Sequence, residues 1–271
     1  MSQHPKLAIL GFGTMGQAIC AGLVEASGYP ASLIQAADCH PAFSKARAEV
    51  LGIRLSTEVE VAAKAAEVVL LCVKPKDLKE LLAGLTAAGA LDHKPLVVSI
   101  AAGISLEFLV AHTPEGTPLV RAMPNTPCSI RRGMTVLSPG KGVTEGQLAT
   151  ARALFEPLGR VMDLDEKHMD AVTGLSASGP AFMFVILESL AEGGVQCGLP
   201  RAVAVELAAQ MTLGAASMVL ETGRHPAALK DEVTTPAGCT IAGLMVLEDG
   251  RIRSVVARGI ERATQVAGGL G

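Results

Sequence analysis

The chain has no tryptophan, one tyrosine and a single asparagine in 271 residues, and it carries no excess of positive charge. Its 23 Lys and Arg stand against 26 Asp and Glu for a net charge of -3, so there is no basic footprint for a nucleic acid. The six cysteines, at 20, 39, 72, 128, 197 and 239, form no C-x-x-C pair. That excludes a recognisable zinc motif or disulfide framework and fits reduced, mostly buried thiols in a cytoplasmic protein, with no metal expected. Low-complexity tracts and internal repeats are also missing.

Small and apolar residues are what the chain has in abundance: 49% of residues are hydrophobic and 29 are glycine. A core of Ala, Val, Leu, Ile and Met favours close helix packing, and implies more apolar surface than one monomer can hide. At 271 residues the chain sits where single cores stop growing, so two domains are expected.

The organising stretch is 7–24, LAILGFGTMGQAICAGLV. It carries no charge, and by length alone it would pass for a membrane span or a signal-peptide core. Gly11, Gly13 and Gly16 make it a poor spanning helix, and only His4 and Lys6 supply a basic flank. No other long apolar run is read after it, so the chain is expected to be soluble and unprocessed, with no membrane partner. Leu7 to Leu10 read instead as a buried strand and the residues after Gly16 as a helix. Between them, Gly11-Phe12-Gly13-Thr14-Met15-Gly16 is a G-x-G-x-x-G turn in the context that a dinucleotide site requires. Gly11 allows the turn, Gly13 lets a pyrophosphate approach the backbone, and Gly16 lets the helix pack on the strand. The helix start offers free N–H groups to phosphate.

A second strand, 33–37, ends at Asp38. That position receives the adenosine ribose in a Rossmann fold, or caps the segment from Pro41; both roles fit. Lys45 and Arg47 follow closely and would suit a 2′-phosphate. The strand 68–73 ends at Cys72-Val73-Lys74-Pro75, where proline marks a helix start and Lys74 is either a cofactor contact or a solvated lysine. The strand 95–100 opens into Ala101-Ala102-Gly103, small enough to leave room for a flat ring. The strand 118–122 enters Met123-Pro124-Asn125-Thr126-Pro127, where a rigidly held carboxamide either contacts cofactor or closes a turn. A strand at 134–138, a helix at 144–155 and a strand at 160–164 complete a doubly wound α/β domain over residues 1–165.

From Glu166 the strand signals stop, and 166–271 reads as an all-helical domain. The helix at 180–192 is apolar on nearly every side, and a second runs from 201 to 221. A helix without a polar face must be covered all round, so a subunit interface is expected. In 234–240, Thr-Thr-Pro-Ala-Gly-Cys-Thr, hydroxyls cluster ahead of an apolar helix. Such a helix start suits a carboxylate, although Thr capping beside a Pro-Gly turn would look the same.

Several of these stretches, GFGTMG, CVKP (72–75), SIAAG (99–103), RAMPNTP (121–127), SASGPAF (176–182) and DEVTTPAGCTIAGL (231–244), together resemble pyrroline-5-carboxylate reductases over essentially the whole chain. The resemblance implies reduction of the cyclic imine 1-pyrroline-5-carboxylate to L-proline by NADPH or NADH. It also implies a Rossmann domain and a helical domain that interlocks with a twofold partner, giving a homodimer or a larger ring. By the same resemblance Thr234, Thr235, Gly238, Cys239 and Thr240 hold the substrate, and Thr240 hydrogen-bonds the ring nitrogen. Gly11 to Gly16, with Phe12, Thr14 and Met15, contact cofactor, as do Cys72 to Pro75 and Asn125, and Ala101 and Ala102 lie near the nicotinamide. Two departures are visible. The SGSGPAY signature of many members reads Ser176-Ala177-Ser178-Gly179-Pro180-Ala181-Phe182 here, and the second strand ends at Asp38, where some members carry Ser or another phosphate-tolerant residue.

Two alternatives belong to other classes. A β-hydroxyacid dehydrogenase would need a Lys-x-x-Asn base, but after Lys167 the only lysine is Lys230 and no asparagine follows it. A non-catalytic NAD(H) sensor would keep the glycine turn yet has no use for the 234–240 anion site. The near miss Gly174-Leu175-Ser176-Ala177-Ser178 lacks the strand-turn-helix elbow of a serine hydrolase.

Overall fold

The computed structural model describes residues 4–269. It divides into two compact units: one holds the chain through Ser178 together with the residues from Arg262 onward, the other is Gly179–Glu261.

The first unit is built on one eight-stranded sheet. Its strands are β1 (Leu7–Leu10), β2 (Ile34–Ala37), β3 (Arg54–Ser56), β4 (Val68–Leu71), β5 (Leu96–Ser99), β6 (Leu119–Met123), β7 (Gly133–Pro139) and β8 (Gly159–Asp163). Their order is β3-β2-β1-β4-β5-β6-β7-β8. Every neighbouring pair is parallel except β6 and β7, which run antiparallel. Strand order reverses between β1 and β4, and in open α/β sheets ligands bind outside the carboxyl ends at that reversal. β1, β4 and β5 are buried at every residue, which is why they read as continuous apolar runs rather than as alternating ones.

Side chains alternate between two cores. Leu7, Ile9, Val68, Leu70 and Val98 face one layer with Ile19, Cys20, Leu154 and Phe155, while Ala8, Leu10, Val69, Leu71 and Val97 face the other with Leu78, Leu82 and Leu109. The first layer holds α1 (Thr14–Ala21), α2 (Lys45–Leu51) and, later in the chain, residues 145–155; the second holds α3 (Val59–Lys64), α4 (Pro75–Ala87) and α5 (Leu106–Ala111). Helix α6 (Glu145–Phe155) begins on a capping box, with Thr144 Oγ1 accepting from Gln147 N–H and the Gln147 side chain accepting from Thr144 N–H.

The expected strands all form, shifted at their ends by a residue or two. β3 is the exception: three residues on an edge, with Arg54 exposed, leave no apolar run to read. After the last strand, α7 (Met169–Val172) and a π-helical turn, Thr173–Ala177, stay with the sheet unit, because Met169 packs with Met123 and Val136.

The second unit contains α8 (Gly179–Gln196), α9 (Arg201–Thr222), α10 (Pro226–Glu232), α11 (Cys239–Asp249) and the first part of α12 (Ile252–Ala267). α8 and α9 approach closely where Gly194 meets Ala204; a Cβ on Gly194 would stand 3.1 Å from the Ala204 Cβ. The reading that no long apolar run follows residue 24 is corrected here. Glu166–Gln196 and Arg201–Thr222 are both long and apolar enough to cross a membrane by length and composition. Scattered charges such as Glu188 and Glu206 interrupt the sequence but not the apolar windows. Within Gly179–Glu261 only Ala191, Ala204, Ala208 and Leu229 are buried, whereas Phe184, Val185, Leu207, Met211 and Val246 stand exposed.

Candidate active site

β1, β2, β4, β5 and β6 are parallel, so the loops that follow them open on the same edge of the sheet. Gly11 N–H donates to Ala37 O at 2.8 Å and Cys72 N–H to Leu10 O at 2.7 Å, which stitches the turns after β1, β2 and β4 together. The structure therefore brings Gly11 to Gly16, Asp38, Cys72 to Pro75, Ala101, Ala102 and Asn125 to one edge, with Gly11 to Gly16 and Cys72 to Pro75 at the point of strand-order reversal and Ala101, Ala102 and Asn125 further along it.

Two of the three glycines are required by the fold, and the third is not. Gly11 has φ +94°, and a Cβ there would stand 2.8 Å from Cys72 C and 2.9 Å from Val73 N. Gly16 would place a Cβ 2.4 Å from Gly11 O, so only glycine lets α1 start this close to the strand. At Gly13 nothing lies within 4 Å of the Cβ position. The fold itself does not demand glycine there, and the open space suits a group arriving from outside. Gly13 is also the N-cap of α1, extended and without any side-chain cap, so the first-turn N–H groups lack a capping partner. Together these features fit a dinucleotide pyrophosphate.

Phe12 and Asp38 hold this turn in place. The Phe12 ring is fully buried in the core, and its N–H donates to Asp38 Oδ2 at 2.7 Å, while its carbonyl accepts from Gln17 Nε2 at 2.9 Å. Asp38 Oδ1 accepts from His40 N–H at 2.8 Å. His40, not Asp38, is the N-cap of the short helix from Pro41. The Cys72 thiol is pushed well above its ordinary pKa by burial and stays neutral. Lys74 is the exposed N-cap of α4, with Pro75 in its first turn. Ala101 is buried and its N–H donates to Ser99 Oγ at 3.3 Å, whereas the half-buried Ala102 borders the cluster around Met123 and Met169.

Asn125 is a strut. Its Oδ1 accepts from Met134 N–H at 2.9 Å, and its Nδ2 donates to Ser176 O at 3.3 Å. The carboxamide thus ties the loop after β6 to the π-helical turn that carries the first serine of SASGPAF. Of its two open roles, closing the loop is the one the hydrogen bonds display.

The sequence reading missed a neighbouring network. Arg121, inside β6, has a side chain only 4% exposed, and its guanidinium pairs with Glu166 Oε1 and Asp170 Oδ1, each at 3.3 Å. Its Nε has no hydrogen-bond partner among the described residues. Glu166 Oε1 also accepts from Leu106 N–H at 2.5 Å. An arginine in a buried strand calls for acidic partners, but nothing in sequence spacing says that they lie 45 and 49 residues downstream.

In the second unit, the expected substrate turn precedes α11. Gly238 N–H donates to Thr235 O at 3.1 Å, closing a turn whose third residue, Ala237, has φ +55°. A Cβ on Gly238 would meet Thr235 Oγ1 at 2.4 Å, so glycine is needed for the hydroxyl to lie against the turn. Gly238 caps α11 in extended conformation with no side-chain cap. Thr234 differs from its neighbours: its hydroxyl donates to Lys230 O at 2.8 Å and finishes the preceding helix. Thr235 is exposed, Thr240 is half-buried, and the first turn of α11 has no side-chain cap for its N–H groups. Cys239 is exposed at the first helical position.

A nucleotide-ready sheet edge on one unit, beside a separate helical unit, makes this an NAD(P)-dependent oxidoreductase with a helical C-terminal domain. Residues 6–103 match a family model described as NADP oxidoreductase coenzyme F420-dependent, and residues 166–270 match one described as pyrroline-5-carboxylate reductase dimerisation. A pyrroline-5-carboxylate reductase from Synechocystis is 43% identical, over 98% of each chain. Among solved structures, the reductase of Coxiella burnetii superposes with a TM-score of 0.91 at 32% identity, covering 99% of both chains. That of Plasmodium falciparum, which has NADP bound, gives 0.89 at 26% identity over 98% of both. The chain belongs to the pyrroline-5-carboxylate reductase family, and its helical half is a self-association domain.

Proposed function

We propose that this protein reduces 1-pyrroline-5-carboxylate to L-proline with NADPH or NADH, the last step of proline biosynthesis, as a cytoplasmic homodimer or larger ring. The observation that carries the reading is the pair of helix starts capped by glycine alone, Gly13 on α1 and Gly238 on α11. Each offers unpartnered N–H groups to an anion, one to a pyrophosphate and one to a carboxylate.

NADH or NADPH, when bound, would supply the hydride that reduces the imine carbon. This chain's residues position and shelter the reactants. Gly13 and the first turn of α1 hold the pyrophosphate, with Thr14 and Met15 at its rim. Ala101 and Ala102 leave room for the ring, and Lys74 and Pro75, with Cys72 and Val73, contact the cofactor at the end of β4, Lys74 reaching its ribose or phosphate. The N–H groups from Cys239 and Thr240, with the Thr235 hydroxyl, receive the substrate carboxylate. The Thr240 hydroxyl bonds the ring nitrogen. A protonated imine already carries positive charge, so a strong acid is not needed, and orientation of two reactants can supply up to roughly 7 to 11 kcal/mol of barrier lowering. The lack of a lysine or histidine in 233–247 agrees with that economy of chemistry.

Six unpaired cysteines suit a reducing compartment. The exposed apolar helices of the second unit suit burial against a second copy, since Glu188, Glu206 and other charges on them would be costly in hydrocarbon. The test is a mixture of purified protein, pyrroline-5-carboxylate and either cofactor: cofactor oxidation with matching proline formation is expected. Tight cofactor binding with no turnover would point to the sensor, and turnover of a 3-hydroxy acid with NAD(P)+ to the dehydrogenase.

A further inference from the structure

The dinucleotide edge carries a negative charge just past the end of β2, the place at which a Rossmann fold receives the adenosine ribose. Asp38 closes β2, and its two carboxylate oxygens are held by backbone donors from two different segments, Phe12 N–H at 2.7 Å and His40 N–H at 2.8 Å. Bonded through both oxygens, the side chain is held against the glycine turn. Each carboxylate oxygen has a second lone pair and no proton, so the group accepts from a ribose diol and offers nothing to a phosphate.

The cations that could offset this charge are engaged elsewhere. Arg47, on α2, donates to Glu25 Oε1 at 2.9 Å, and the other oxygen of Glu25 takes Arg131 at 3.4 Å. Glu25 is thus shared by two arginines, each 38% or more exposed, and Arg47 makes its ion pair on that carboxylate and not on Asp38. Lys45 is paired only at 4.0 Å with Glu49, both being well exposed, and so acts as a screened surface charge.

We infer that Asp38 makes this reductase NADH-preferring: its clamped carboxylate recognises the adenosine ribose diol and repels a 2′-phosphate. This deepens the reading of the glycine turn as a dinucleotide site and rests on it. Family membership leaves the point open, since one relative binds NADP. Like charges a few ångströms apart in a water-exposed site cost on the order of tenfold in affinity, an effect that falls with added salt.

The test is calorimetric titration of the full-length oligomer, without substrate, using NADH, NADPH, AMP and 2′-phospho-AMP at low and high salt. NADH and AMP are expected to bind about tenfold more tightly than their 2′-phosphorylated counterparts at low salt, with the gap narrowing as salt rises. Asp38→Ser and Asp38→Asn should each raise NADPH affinity relative to NADH. Equal or tighter binding of NADPH by the native protein overturns the inference. So does a cofactor ratio unchanged in both variants, which would leave Asp38 as only the clamp of the glycine turn. Turnover of pyrroline-5-carboxylate reports separately: if it proceeds with equal cofactor affinities, the Asp38 inference fails and the proposed function stands.

Discussion

The same substitution at two glycines two residues apart should have opposite signatures. At Gly11, alanine must adopt φ +94° and place its Cβ 2.8 Å from Cys72 C and 2.9 Å from Val73 N, backbone atoms of a central strand end that cannot swing aside. The left-handed conformation costs roughly 1–2 kcal/mol and the forced contact roughly 1–3 more, so Gly11→Ala should lose about 2–5 kcal/mol. In a chain of this size that lowers Tm by on the order of 10 °C. At Gly13 the backbone has φ -76° and the Cβ position is empty to 4 Å. Restricting the unfolded chain gains about 0.4–1 kcal/mol, and alanine's weakness as an N-cap returns a similar amount. Gly13→Ala should therefore leave Tm within a few degrees of the parent while weakening NADH and NADPH together, because the new methyl fills the space kept for the pyrophosphate. Thermal melts beside calorimetric titration of both variants separate the two effects. A Gly13→Ala protein that melts like Gly11→Ala, or one that binds cofactor as tightly as the parent, would refute the assignment of Gly13 to ligand and Gly11 to fold.

Two further substitutions probe the other parts of the site. Thr240→Ala should lower kcat/KM by about 1–3 kcal/mol, the cost of leaving a charged partner unbonded, with NADH affinity unchanged; weaker NADH binding with an intact rate would misplace the substrate. Arg121→Met should cost less in urea unfolding than the double change Glu166→Ala and Asp170→Ala, because removing Arg121 leaves two acids that are 31% and 42% exposed and can hydrate, whereas removing the acids strands a cation that is 4% exposed. The reverse order of stabilities would mean that Arg121 is held by its packing and not by the pair.

The sheet was legible because parallel strands buried on both faces leave uninterrupted runs such as Val68–Leu71, and because the glycine turn and Pro75 mark their carboxyl ends. β3 was not, since a three-residue edge strand with exposed Arg54 has neither the length nor the pattern to register. α12 also went unread, although its apolar residues recur at Ile252, Val255, Val256 and Ile260. At the site, local sequence located Asp38 and Asn125 but left each with two roles, because the partners that choose between them are remote. Phe12 lies 26 residues from Asp38, and Ser176 lies 51 from Asn125. Thr234 shows the converse: its hydroxyl is taken up locally by Lys230 O, a bond that a cluster of threonines ahead of a helix does not reveal.

The unequal burial of the two units makes one last expectation sharp. The sheet unit has a core on each face of its sheet, with Phe12, Ile9, Leu70, Leu78 and Phe155 fully buried. The helical unit buries one leucine and three alanines, which is far too little apolar area to offset the ordering of its helices. Its order must come from self-association, and with it the order of the Thr235–Thr240 turn, whereas the glycine turn and Asp38 belong to a unit that holds itself together. Folding of the helical half is then linked to protomer concentration, so Tm should rise with concentration. On dilution below the dissociation constant, turnover should vanish while NADH still binds each chain. Sedimentation or light scattering alongside NADH fluorescence follows the two together. A dilute monomer that still reduces pyrroline-5-carboxylate would show that the helical unit stands alone, and loss of NADH binding in parallel with dissociation would show that the sheet unit does not.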